Sequence, residues 1–121
     1  MASDSFVFAA TGDAILAPSV SELEAVERFD ALCDLLRGAD AAVTQVEPVL
    51  VTDETTHGAL RQVTDQYQYL APYPGAIMGT SPHVLDDLTD MGLNLFTVAS
   101  NHAFDFGETG VRSTLSGLRE R

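Results

Sequence analysis

Lysine is absent from the chain: all six basic residues are arginine, set against 18 acidic residues for a net charge of −12. A field of that sign repels the phosphates of nucleic acid and anionic membrane, which excludes both as ready partners. A carboxylate-rich, lysine-free surface suits a halophilic cytosol, where high salt screens self-repulsion. An acidic protein from a GC-rich genome that favours arginine codons gives the same pattern. Cysteine is nearly absent too. Cys33 stands alone, which rules out an internal disulfide, and its place among Leu32, Leu35 and Leu36 marks a small core residue rather than a nucleophile. No stretch approaches the length of a membrane span. The segment from Met1 to Ser5 lacks the basic n-region of a secretory signal, and Phe6 to Ala10 is too short for its apolar part. These absences predict a soluble, cytoplasmic chain with no membrane insertion. Repeats and low-complexity tracts are missing as well. What is there is a 45% hydrophobic share over 121 residues, enough for one compact domain with a real core.

Taken in order, Phe6 to Ala10 reads as a short strand buried on both faces, stopping at Thr11-Gly12-Asp13. Gly12 would let the backbone turn there and leave Asp13 at the carboxyl end. Ser21 and Glu24 form a capping-box pattern. Beyond them Leu23, Val26, Phe29, Leu32, Cys33 and Leu36 recur at helical spacing, and Gly38 closes the helix. Ala41 to Val46 reads as a second strand, stopped by Glu47-Pro48. Strand, helix and strand in this span predict a βαβ unit with parallel strands, placing Asp13 and Glu47 at the same end of neighbouring strands.

Residues 52–73 are the least regular part. Gln66 to Leu70 alternates enough for a short strand, and the whole insertion suits a substrate mouth or a disordered flap. Ser81-Pro82 has the signature of a helix start, with Val84, Leu85, Leu88 and Met91 on one face and Gly92 at the end. A strand from Leu93 to Val98 follows. Glu108 to Arg121 then reads as a helix with Val111, Leu115 and Leu118 along one stripe. A fold that stops one helix after its third parallel strand looks like the N-terminal portion of a longer domain. Its open sheet edge predicts pairing with another copy or with the missing half.

The chemistry gathers at the strand ends. Asp13, Glu47, Asn101, His102 and Asp105 all fall at, or just after, carboxyl ends of predicted parallel strands, where α/β sheets build their sites. Paired carboxylates repel each other, and a divalent cation removes that cost. Carboxylate oxygens, an Asn carbonyl and an imidazole suit Mn, Mg, Fe or Zn. Such an ion can polarise a phosphoryl or acyl oxygen. His102 near Asp105 suits a general acid whose tautomer the carboxylate fixes. Each residue also has an ordinary structural reading: Asp13 as a turn residue, Glu47 as a strand terminator, His102 as a hydrogen-bonded histidine, Asp105 as a cap for the last helix. His57 and His83 read as solvated.

Three motifs carry a family resemblance: Gly12-Asp13, Gln45-Val46-Glu47-Pro48, and Met91-Gly92-Leu93 leading to Ala99-Ser-Asn-His-Ala-Phe-Asp-Phe-Gly107. With them the sequence resembles the bacterial and archaeal capsule synthesis protein CapA family, also called poly-gamma-glutamate synthesis proteins. That family is similar to the calcineurin-like metallophosphoesterases. The last motif is the specific one, since the family typically reads Ala-Asn-Asn-His-x-x-Asp-x-Gly there. The resemblance implies a partial α/β/β/α metallophosphoesterase-like sandwich with mainly parallel strands. It implies metal-dependent hydrolysis of phosphoester or related bonds, with a small-molecule or polymer substrate. By motif, Asp13, Glu47 and Asn101 would be metal ligands, His102 the acid or charge stabiliser, and Asp105 its support. Gln45 stands where the family usually has Asn, Ser100 replaces the first Asn of its pair, and Ile15 stands where the wider phosphoesterase pattern has His. The family's domain is roughly twice this length, and its later His-containing motifs lie outside these residues. A non-catalytic accessory or scaffold module of a polymer-synthesis complex is the alternative function.

Overall fold

The computed structural model describes residues 5–15, 27–52 and 77–121. In chain order its elements are β1 (Phe8–Ala14), α1 (Glu27–Arg37), β2 (Ala41–Val46), β3 (Val49–Leu50), β4 (Gly79–Thr80), α2 (Val84–Asp90), β5 (Leu95–Thr97) and α3 (Gly107–Arg119). The organising strand is β2. Its burial alternates residue by residue, with Ala42, Thr44 and Val46 buried and Ala41, Val43 and Gln45 half-buried. A period of two is what a strand with unlike faces requires. Strands β1 and β5 flank it, both parallel, in the order β1-β2-β5, while β3 and β4 form a separate parallel pair. The expected βαβ unit is therefore present, and the architecture is α/β with parallel strands, as the partial sandwich requires.

The helices cover one face of the sheet. Leu36 of α1, Val84, Leu85 and Leu88 of α2, and Leu93 pack with Ala42 and Val46 of β2 and Leu50 of β3 in a single core. The other face carries Phe8, Val43 and Leu95, with Phe8 59% and Leu95 47% exposed. Among the described residues strand β1 is thus an edge strand with one open face, not the doubly covered strand expected, and it runs on through Gly12 and Asp13 to Ala14. Gly12 has no positive φ, so no tight turn is needed there.

Helix ends follow their local chemistry. Gly92 has φ 106° and closes α2: its N–H donates to the Thr89 carbonyl (2.9 Å), and the Leu93 N–H donates to the Leu88 carbonyl (3.1 Å). These are the two bonds of a Schellman end. A Cβ on Gly92 would also lie 2.7 Å from the Arg37 nitrogen, so the glycine lets α2 end against the end of α1. Arg37 completes that joint by donating from Nε (3.1 Å) and Nη2 (2.6 Å) to the Asp90 carbonyl. At the start of α2 the helix begins at Val84, with His83 rather than Ser81 at the cap position. The Ser81 hydroxyl accepts a long 3.4 Å bond from the His83 N–H, while its carbonyl accepts from the Val84 N–H at 3.1 Å. Asn94 starts β5 by bonding Ala42 twice: its N–H donates to the Ala42 carbonyl (3.0 Å), and its Oδ1 accepts from the Ala42 N–H (2.9 Å).

Two expected apolar stripes are shifted. In α1, Cys33 and Leu36 are buried as expected, but Leu32 is 42% exposed. In α3 the buried stripe is Gly107, Gly110, Thr114 and Gly117, with Val111, Leu115 and Leu118 half-buried beside it. The physical reason is closeness: α3 lies directly on β3, and a Cβ on Gly110 would sit 2.9 Å from Val49 Cγ1. The capping box at Ser21, the apolar positions Leu23 and Val26, His57, and the strand proposed at 66–70 lie outside the described residues. Among the described residues no helix is long and apolar enough to cross a membrane.

Candidate functional site

The carboxyl edge of the parallel sheet receives the candidate residues from three strands. Register pairs Asp13 with Gln45 and Gln45 with Thr97, so Asp13 and the ends of β2 and β5 share one edge. Asp13 is exposed. Glu47 follows β2 directly. Its Oε2 is buried and has no hydrogen-bond partner among the described residues. The residue lines a cavity of about 40 Å³ whose other walls include Val46, Pro48, Val98, Ala103 and Leu115. A buried carboxylate oxygen with no donor is costly unless something outside the chain satisfies it.

The loop after β5 carries Asn101, His102 and Asp105. Asn101 is exposed, while the His102 and Asp105 side chains are only 12% and 15% exposed. His102 Nδ1 meets Asp105 Oδ2 at 2.7 Å. A carboxylate can only accept, so Nδ1 carries the proton and Nε2 is left as the working nitrogen. The same Oδ2 accepts the Met78 N–H at 2.8 Å, and the Met78 carbonyl accepts from the Val49 N–H at 3.0 Å. Asp105 therefore ties the histidine to the β3–β4 pair rather than capping α3, whose cap position is Phe106.

Ser100 supplies a second tie. Its Oγ accepts the His102 N–H (3.1 Å) and donates to the Glu47 carbonyl (3.3 Å), joining the histidine loop to the end of β2. From the sequence Ser100 stood out only as a departure from the family motif. The local signal was there to read: a Ser two residues before His102 is placed for a side-chain turn onto that N–H. Among the described residues, no three His, Cys, Asp or Glu side chains gather into a cluster able to hold a metal ion. The arrangement thus brings His102 and Asp105 into direct contact, connects Glu47 to their loop through its backbone, and sets Asp13 on the same edge.

The sequence of this site matches a described family. A family model for the bacterial capsule synthesis protein PGA_cap matches residues 7–121. The chain belongs to the bacterial capsule synthesis protein family. Two proteins of Sinorhizobium fredii (strain NBRC 101917 / NGR234), the uncharacterized proteins y4sH and y4uA, are similar to this family member. Each is 31% identical over 117 residues, covering 97% of this chain and 23% of the relative. This PGA_cap chain therefore spans about a quarter of the length of the curated relatives it matches.

Proposed function

We propose that this chain supplies the N-terminal portion of a metal-dependent hydrolase of phosphoester or related bonds, serving capsule or poly-gamma-glutamate synthesis. The observation that carries the reading is the His102–Asp105 contact at the carboxyl edge of the sheet. Asp13, Glu47 and Asn101 are the proposed ligands of a divalent ion, and the unpartnered Glu47 Oε2 supports that assignment. Their donor set, two carboxylates and an amide carbonyl, fits a hard cation such as Mn or Mg and also admits Fe or Zn. The remaining ligands would come from outside the described residues. When bound, such an ion supplies electrostatic stabilisation of charge growing on a phosphoryl oxygen. In its imidazolium form, which Asp105 stabilises and orients through Nδ1–H, His102 gives its Nε2 proton to the leaving oxygen and is left as the neutral Nδ1–H tautomer.

The test is metal content and aryl phosphate hydrolysis by the longest natural version of the chain, beside Asp13→Ala and His102→Ala. The reading predicts bound metal and a loss of activity in both variants. An absence of metal, or activity indifferent to both changes, sinks it. A second reading, a non-catalytic scaffold module, draws support from Gln45 and Ser100 standing where the family usually has Asn. Under either reading, the open face of Phe8, Val43 and Leu95 is where the rest of the domain or another copy would pack.

A further inference from the structure

Strand β1 changes face part-way along. Ala10 pairs with Val43, but Asp13 pairs with Gln45, so three steps on β1 answer two on β2. One extra residue is a β-bulge, and a single-residue slip turns every later side chain to the opposite face. The packing agrees. Ala9 and Ala14 both lie against the helix-covered core although they are five residues apart, a spacing that an unbroken strand would split between faces. Without the bulge, Asp13 would share the covered face with Ala9. With it, Asp13 is exposed beside Gln45.

What holds the bulge is Thr44, a buried polar side chain in the middle of the central strand and only 2% exposed. Its Oγ1 donates to the Gly12 carbonyl (3.0 Å) and accepts from Thr11 Oγ1 (2.7 Å). The hydroxyl thus bonds the part of β1 where the regular ladder register breaks. Valine has the same shape but could not make either bond, leaving the Gly12 carbonyl with only the longer 3.3 Å bond from Thr11 Oγ1. We infer that Thr44 is a positioning residue: its buried hydroxyl clamps the Thr11–Gly12 bulge and so turns Asp13 onto the open edge. The inference goes beyond the proposed function in its structural part and rests on it where Asp13 is a metal ligand.

Two measurements on the full-length protein test it. The first is amide hydrogen exchange of the peptide spanning β1, in wild type, Thr44→Val and Thr44→Ser. The expected result is exchange about tenfold faster in Thr44→Val and unchanged in Thr44→Ser, which keeps the hydroxyl. The second is affinity for Mn²⁺ alone. Changes behind a ligand typically cost about 10–100-fold, so Thr44→Val weakens binding by about tenfold or more and Thr44→Ser restores it. Because Thr44 acts through Asp13, the Thr44→Val/Asp13→Ala double variant binds no more weakly than Asp13→Ala alone. Unchanged exchange in Thr44→Val overturns the clamp. A metal loss that adds in full to that of Asp13→Ala overturns the link to Asp13. If the wild type binds no Mn²⁺, the metal reading fails, and the exchange comparison alone carries or overturns the clamp.

Discussion

His102 Nδ1 and Asp105 Oδ2 stand 2.7 Å apart in a largely buried contact, and that same carboxylate oxygen receives the Met78 N–H. Asp105→Asn keeps an acceptor for one of these donors but removes the charge that stabilises an imidazolium. Hydrolysis of an aryl phosphate by the longest natural version should fall by about 10²-fold or more. Nitrogen chemical shifts of His102 should show the Nδ1–H tautomer in the wild type and a mixture in the variant. An unchanged tautomer with unchanged turnover removes Asp105 from the site.

Helix α3 depends on a glycine for its approach to the core. A Cβ on Gly110 would lie 2.6 Å from Phe106 Cβ and 2.9 Å from Val49 Cγ1, both on closely packed neighbours. Gly110→Ala should destabilise the fold by about 1–3 kcal/mol despite alanine's better helix propensity. Gly12→Ala is the control, because nothing lies within 4 Å of its Cβ position. It should change stability by less than about 0.5 kcal/mol. Urea midpoints of the two variants decide the matter: equal midpoints would mean that α3 can shift away from β3.

That helix also shows where the sequence was legible and where it was not. Periodicity located α3 and offered Val111, Leu115 and Leu118 as its buried stripe, because hydropathy rewards large side chains. Contact with β3 instead selected the smallest residues, and only the tertiary approach distance reveals that. Strand β2 was readable to its boundaries because Gly38 before it and Glu47-Pro48 after it are local stop signals around a short run. The two-residue strands β3 and β4 are too short for any period to appear, so they were missed. At the site, strand ends and motif spacing brought out Asp13, Glu47, Asn101, His102 and Asp105. They could not reveal the bulge that orients Asp13, since its clamp, Thr44, lies 31 positions beyond Asp13 in the chain.

Acid should loosen the joint between α2 and α3. Arg121 hydrogen-bonds Asp86 through Nη2 to Oδ2 at 3.0 Å, and this bond holds the Asp86 carboxyl below its ordinary 3.8. Partial desolvation opposes the shift, while the charges of Arg121 and His83 assist it. A carboxyl whose folded pKa is lowered contributes stability above its unfolded pKa and loses it as pH falls through the folded value. The contribution should therefore be intact above about pH 5 and fade below about pH 4. Melting temperature measured from pH 6 to pH 3 should fall less steeply in Asp86→Asn than in the wild type. Parallel curves would show that the pair contributes nothing measurable, as many exposed pairs do not.

Salt should act in the opposite sense to its effect on most surface ion pairs. With a net charge of −12, self-repulsion should outweigh exposed pairs such as Arg112 with Glu108. Raising NaCl from about 0.1 M to about 1 M shortens the screening length from roughly 10 Å to 3 Å. The melting temperature should rise across that range. A fall would mean that the pairs matter more than the net charge, and the halophilic reading would lose its basis.

Glu47 offers the sharpest separation of function from stability. Its Oε2 is buried without a partner among the described residues, in a cavity walled largely by apolar side chains. A fold gains nothing from such an atom, and replacing it with an apolar group of similar length removes a desolvation cost of about 1–3 kcal/mol. Glu47→Met should therefore melt higher than the wild type in the presence of a chelator. With Mn²⁺ the order should reverse: a ligand that binds only the folded state raises its stability by mass action, and the variant would have lost that response. This crossing is what a residue retained for binding at the expense of stability looks like. If Glu47→Met instead melts lower in chelator, Oε2 has a partner within the protein and the carboxylate is structural. If it melts higher but the wild type ignores Mn²⁺, the unpartnered oxygen serves something other than a metal.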